Sequence, residues 1–162
     1  SEYVDIWLPD LKYYSPILSR RYSQAEDYFA VASRAVEQMI RLTGPPEFGE
    51  YKDKRSGTAC SILRKGVIIR HMVLPRHKDD SIRLLYWMKD TLPKGGFLIS
   101  LMSQYTPFYR SADYPEINRR ITTYEYEKVL NTAIELGLTD GFMQEKSSAK
   151  EEYTPPFELE GL

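Results

Sequence analysis

The stretch Gly66-Val-Ile-Ile-Arg-His-Met-Val-Leu-Pro75 decides how this chain folds. Val67-Ile68-Ile69 and Met72-Val73-Leu74 bracket Arg70 and His71 in an otherwise apolar run. Such a run suits a parallel-sheet strand covered on both faces. An arginine keeps its charge, so burying one requires a partner. Two readings follow. Either Arg70 pairs with a structural carboxylate such as Asp10, or it stands at a strand's end to receive a ligand's carboxylate or phosphate.

Upstream, Val4-Asp-Ile-Trp-Leu8 reads as another strand, ended by Pro9-Asp10-Leu11-Lys12. A chain that opens on such a strand reads as a cut through a larger domain. The alternative is a short protein whose first strand lies near its terminus. Ser23-Gln-Ala-Glu26 has capping-box spacing and predicts a helix start. Tyr28, Ala32, Ala35, Met39 and Leu42 give that helix one apolar face, and Gly44-Pro45-Pro46 ends it. Residues 45–61 are polar, carry Lys52, Lys54 and Arg55, and read as a surface loop.

Downstream, Asp79 and Asp80 favour the start of a second helix, with Ile82, Leu85, Met88 and Leu92 as its stripe. Lys94-Gly-Gly96 reads as a turn and Phe97–Met102 as a third strand, apolar except Ser100. Ser103–Pro107 is a loop, and residues 107–121 form a long connection with Arg110, Arg119 and Arg120. Thr122-Thr-Tyr-Glu125 repeats the capping-box spacing before Tyr126, Val129, Leu130, Ala133 and Ile134, and Gly137 stops that helix. A fourth strand is expected at Gly141–Gln144, and residues 146–162 read as a tail. Strand–helix alternation of this kind implies a parallel sheet with right-handed crossovers. Four strands fit an open sheet or a section of a barrel, and periodicity does not choose between them.

With 162 residues the chain can bury a real core as one domain. Its 22 Lys+Arg balance 23 Asp+Glu, which gives no electrostatic case for nucleic acid or an anionic membrane. No run approaches the length of a membrane span and no secretory leader is present, so a cytoplasmic setting is expected. One cysteine, Cys60, excludes an internal disulfide and fits a reducing compartment. It lies near Arg55, Arg64 and Lys65 and reads as a bystander thiol. His71 and His77, the two histidines, make no tight ligand pair, and no Gly-x-Ser-x-Gly segment marks a hydrolase.

Parallel α/β folds bind ligands outside the carboxyl ends of their strands. Those ends carry Asp10 and Lys12, then Arg70 and His71, then Ser103, Gln104 and Tyr105, then Gln144 and Glu145. Every strand delivers polar groups to one edge.

Four segments in order carry a resemblance: Asp10-Leu-Lys12, Val67–Pro75, Ser100-Leu-Met-Ser-Gln-Tyr-Thr-Pro107 and Gly141-Phe-Met-Gln-Glu145. Together they resemble the C-terminal half of radical SAM proteins related to the pyruvate formate-lyase activating enzyme. The resemblance implies parallel β/α units forming about half of a TIM-like partial barrel over residues 1–145, with 146–162 as tail. It implies a 4Fe–4S cluster and S-adenosylmethionine (SAM) at the barrel mouth, whose reductive cleavage yields a 5′-deoxyadenosyl radical for hydrogen abstraction. Asp10 and Lys12 match the Asp-Leu-Lys segment near SAM, and that aspartate also contributes to a monovalent-cation site in the family. Arg70 matches the arginine closing on the SAM side of the pocket. Gln104 or Tyr105 stands where the activating enzyme has a histidine, which points to a different substrate.

The family's Cys-x3-Cys-x2-Cys segment is absent, so the N-terminal cluster-binding half is expected to lie outside this chain. The resemblance thus implies a radical SAM oxidoreductase as a whole, and a chain that alone binds neither cluster nor SAM and is inactive. Implied partners are a glycyl radical enzyme, or another protein or small molecule, and an electron donor such as flavodoxin. Exposed sheet edges suggest self-association. A non-catalytic α/β module that binds an anionic ligand or a partner is the competing expectation.

Overall fold

A computed structural model describes residues 3–52 and 58–143. The expected strand–helix alternation is present, with an extra helix and an extra strand. The order is β1 (Ile6–Trp7), α1 (Pro16–Ser23), α2 (Tyr28–Thr43), β2 (Glu47–Lys52), β3 (Ala59–Met72), α3 (Lys78–Thr91), β4 (Leu98–Met102), α4 (Thr123–Glu135) and β5 (Gly141–Met143). A short 3-10 turn, Tyr109–Asp113, interrupts the β4–α4 connection. Gln144, Glu145 and the tail lie outside the described residues.

Strands β1, β3, β4 and β5 pair in parallel in that order, and β2 joins β3 antiparallel. The chain is a mixed α/β fold. β3 is the axis of the sheet, and Gly66 divides it. Residues up to Lys65 pair with β2, while Gly66 and Val67 pair with β1 and Ile68–Met72 with β4. At Gly66 φ is +147°, and a Cβ would lie 3.1 Å from the Pro46 backbone, so only glycine suits this switch. The predicted loop over 45–61 is therefore corrected: much of it is hairpin. Its residues are mostly exposed, so backbone pairing holds it and no apolar pattern announces it.

β1 is shorter than expected because Pro9 lacks an N–H. The register nevertheless continues past it. The Arg70 N–H donates to Pro9 O at 2.9 Å and the Leu11 N–H to Arg70 O at 2.9 Å.

β3 is not covered on both faces. Val67, Ile69, His71 and Val73 are buried, while the alternating Ile68, Arg70 and Met72 are half-buried. The buried set joins one core with Val36 and Ile40 of α2, Leu84, Leu85 and Met88 of α3, and Tyr126, Val129 and Ala133 of α4. Helices α2–α4 thus pack on one face of the sheet, each fully buried aliphatic contributing about 1.5–3 kcal/mol. The α3 stripe is as expected. The α2 stripe is rotated by about one residue: Val36 and Ile40 face the core while Leu42 is exposed.

The two capping-box motifs have opposite fates. Thr122 and Glu125 form a reciprocal box at the start of α4. Ser23 instead ends α1, and Glu26 pairs with Arg20 at 3.5 Å. α1 was unforeseen, although Ser15-Pro16 is a helix-start signal with proline in its first turn.

Candidate functional site

Arg70 and Asp10 meet at the carboxyl ends of β3 and β1. An isolated parallel bridge aligns the two residues, and Arg70 Nη2 lies 2.7 Å from Asp10 Oδ1. The buried arginine of the sequence reading is corrected here: the two side chains are 42% and 40% exposed. Even alternation puts them on the sheet face opposite α2–α4, and odd alternation buries His71 instead. Only Arg70 Nε is enclosed, and it has no hydrogen-bond partner among the described residues. Ser100 pairs with Arg70 across β3 and β4, so it stands beside it on the same face. Its signal in the sequence was its polarity within an apolar strand.

The segment carrying Asp10 and Lys12 is anchored at nearly every backbone group. The Tyr28 hydroxyl donates to Asp10 O at 2.8 Å and accepts from the Lys12 N–H at 2.9 Å. Partial burial raises the Tyr28 phenol above its usual value, so it stays neutral and can serve both bonds. His71 Nδ1 lies 2.7 Å from Leu11 O. Asp80 then accepts the Tyr14 and Ser15 N–H groups at 2.9 Å each. The expectation that Asp80 sits at a helix start holds, but its carboxylate is nearly buried and also fixes the loop after β1. This arrangement leaves the Asp10 and Lys12 side chains exposed on a rigid arm.

Gln104 and Tyr105 follow β4. Gln104 is exposed, with Nε2 4.0 Å from Met102 Sδ. Tyr105 is half-buried, and burial together with the Tyr13 phenol raises its pKa. Among the described residues no group of three or more His, Cys, Asp or Glu side chains could hold a metal ion. The Asp10 carboxylate expected near a monovalent cation is engaged by Arg70.

A second cluster escaped the sequence reading because α1 did. Glu116 Oε1 accepts from Arg21 Nε and from the Tyr22 hydroxyl, each at 2.8 Å. Tyr22 also bonds His77 Nε2 at 2.7 Å. The Glu116 carboxyl is lowered to about 2 by its own backbone N–H, Tyr22 and Arg21, and burial lowers the His77 imidazole. These groups satisfy one another and tie α1 to the turn after β3 and the long connection. Glu125 does similar work: it takes both Arg119 nitrogens, the Thr122 N–H and hydroxyl, and the Arg76 N–H.

Among the described residues, three concavities lie away from the Asp10–Arg70 edge. One of about 130 Å³ sits at the amino end of β4, lined by Met88, Phe97, Leu136 and Asp140. In a parallel sheet that is the end where ligands do not bind. The carboxyl edge carries two cations, Arg70 and Lys12, and one anion, Asp10, all reached by solvent. Such charges can pair with a carboxylate and an ammonium group of a ligand. No helix among the described residues is long and apolar enough to cross a membrane.

No family model matches this chain, and no solved structure matches it. An uncharacterized protein of Methanocaldococcus jannaschii, MJ0674, is 30% identical over 132 residues, covering 80% of this chain. The match covers 31% of that protein, so the chain spans about a third of the relative's length.

Proposed function

We propose that this chain is the carboxyl-terminal part of a radical SAM enzyme, a section of a TIM-like partial barrel, and that Asp10, Lys12 and Arg70 form its SAM-binding edge. The observation that carries this reading is the Asp10–Arg70 pair at 2.7 Å on the face that α2–α4 leave open. Helices on one face and a ligand edge at the strand ends are what a barrel section requires. A doubly wound sheet would place helices on both faces.

The side chains fit the amino-acid end of SAM: Arg70 and Lys12 for the carboxylate, Asp10 for the ammonium. When bound, SAM supplies a 5′-deoxyadenosyl radical on one-electron reduction. This chain's groups hold and orient it; Ser100, paired with Arg70 across β3 and β4, is the adjacent polar group. These side chains do not fit the iron–sulfur cluster. Cys60 is the sole thiol, and it lies ten residues before Arg70 on the same strand, roughly 33 Å away at strand rise. Cluster ligands belong to a segment outside this chain. The substrate is a glycyl radical enzyme or another protein or small molecule, with a flavodoxin-like electron donor.

The test uses the complete reading frame, reconstituted anaerobically and mixed with SAM and dithionite. Release of 5′-deoxyadenosine, lost in Arg70→Ala, is expected. A loaded cluster with no SAM cleavage, or a stoichiometric cluster on this chain alone, refutes the reading.

A further inference from the structure

Why a polar ring occupies a buried position of β3 has an answer in its bonding. His71 is 2% exposed and stands among Leu11, Ile69 and Leu101 in the core. A carbonyl can only accept, so the 2.7 Å contact with Leu11 O requires the proton on Nδ1. Nε2 is then an acceptor, and it is buried with no partner among the described residues. Burial depresses the imidazole's pKa, keeping the ring neutral. A neutral imidazole with one nitrogen unsatisfied is a poor core filler. Its one made bond lands on the residue between Asp10 and Lys12.

That residue is gripped on both sides. The Leu11 N–H donates to Arg70 O, and the Leu11 carbonyl accepts from His71, the next residue of β3. The peptide planes on either side of Leu11 set where Asp10 and Lys12 project. We infer that His71 is a positioning residue: through its Nδ1–H bond to Leu11 O it fixes the Asp10–Lys12 arm that receives the ligand. This inference rests on the SAM reading for the identity of the ligand, not for the bond itself.

Asparagine and glutamine separate a positioning role from core filling. The Asn amide nitrogen takes the place of Nδ1, whereas the Gln amide nitrogen takes that of Nε2. His71→Asn keeps the donor to Leu11 O and His71→Gln removes it. In the complete protein, His71→Asn is expected to keep SAM affinity within about threefold and His71→Gln to weaken it about tenfold, the worth of one hydrogen bond. Amide exchange at Leu11 and Lys12 should quicken in His71→Gln and not in His71→Asn. Nitrogen NMR of the unmodified protein adds a measurement that needs no variant: Nδ1 protonated, Nε2 not. The opposite tautomer, or equal behaviour of the two variants, overturns the inference. An unmodified protein that fails to bind SAM refutes the proposed function, while exchange and tautomer still decide the role of His71.

Discussion

Removing Arg70 or Asp10 distinguishes a structural ion pair from one held for a ligand. The side chains meet at 2.7 Å yet are 42% and 40% exposed. Solvent screening limits such a pair to about 0.2–1 kcal/mol. The short contact argues for the upper end, and Asp10 can hydrate once Arg70 is gone. The backbone bonds of Leu11 and Arg70 survive either substitution, because they involve main-chain atoms alone. A double-mutant cycle with Asp10→Ala and Arg70→Ala, read by denaturant unfolding of this chain, should give a coupling of about 0.5–1 kcal/mol. On 162 residues a loss of that size lowers the melting temperature by about 1–4 °C. Loss of a charge-assisted bond to a ligand carboxylate is larger, about 1.5–3 kcal/mol, or roughly 10- to 100-fold in the SAM dissociation constant of the complete protein. A coupling above about 3 kcal/mol, the scale of a buried pair, would make the pair a structural keystone and remove the argument for a ligand role.

Three further outcomes are expected. Arg119, with Thr122 and the Arg76 N–H, holds the Glu125 carboxyl far below the usual carboxylate range. The stability this confers is present above the unfolded value of about 4.3 and is lost as pH falls through the folded one. Glu125→Gln should cost up to about 3 kcal/mol near neutrality and flatten the decline below about pH 5; equal acid slopes would contradict this. Gly141→Ala should detach β5 from β4, because φ is +150° and a new Cβ would collide with Ile99 O and sit 2.6 Å from Ile99 N. Unaltered amide protection along β4 would count against it. Tyr28→Phe frees Asp10 O and the Lys12 N–H, costing about 1 kcal/mol and quickening exchange at Lys12; unchanged exchange would show that the clasp is unimportant.

Element type was largely legible wherever side-chain chemistry enforces it. The apolar run around Ile68, the stripe of α3 and the box at Thr122 each bury or satisfy groups that have no other outlet. The hairpin of β2 and early β3 was illegible because exposed strands are held by main-chain pairing, which any side chain permits. The same capping spacing misled at Ser23, since Pro16 had already begun a helix that Ser23 ends. Tyr22, His77 and Glu116 lie far apart in sequence, and nothing local announces that they meet.

The chain by itself determined that Asp10, Lys12 and Arg70 stand at strand ends, because apolar runs and prolines mark where strands stop. Tertiary structure decided which of Arg70 and His71 is buried. Alternation with a period of two makes neighbours face opposite ways, but only the helices packed on one face say which way is in. They put His71 in the core behind Leu11 and left Arg70 on the open face with Asp10.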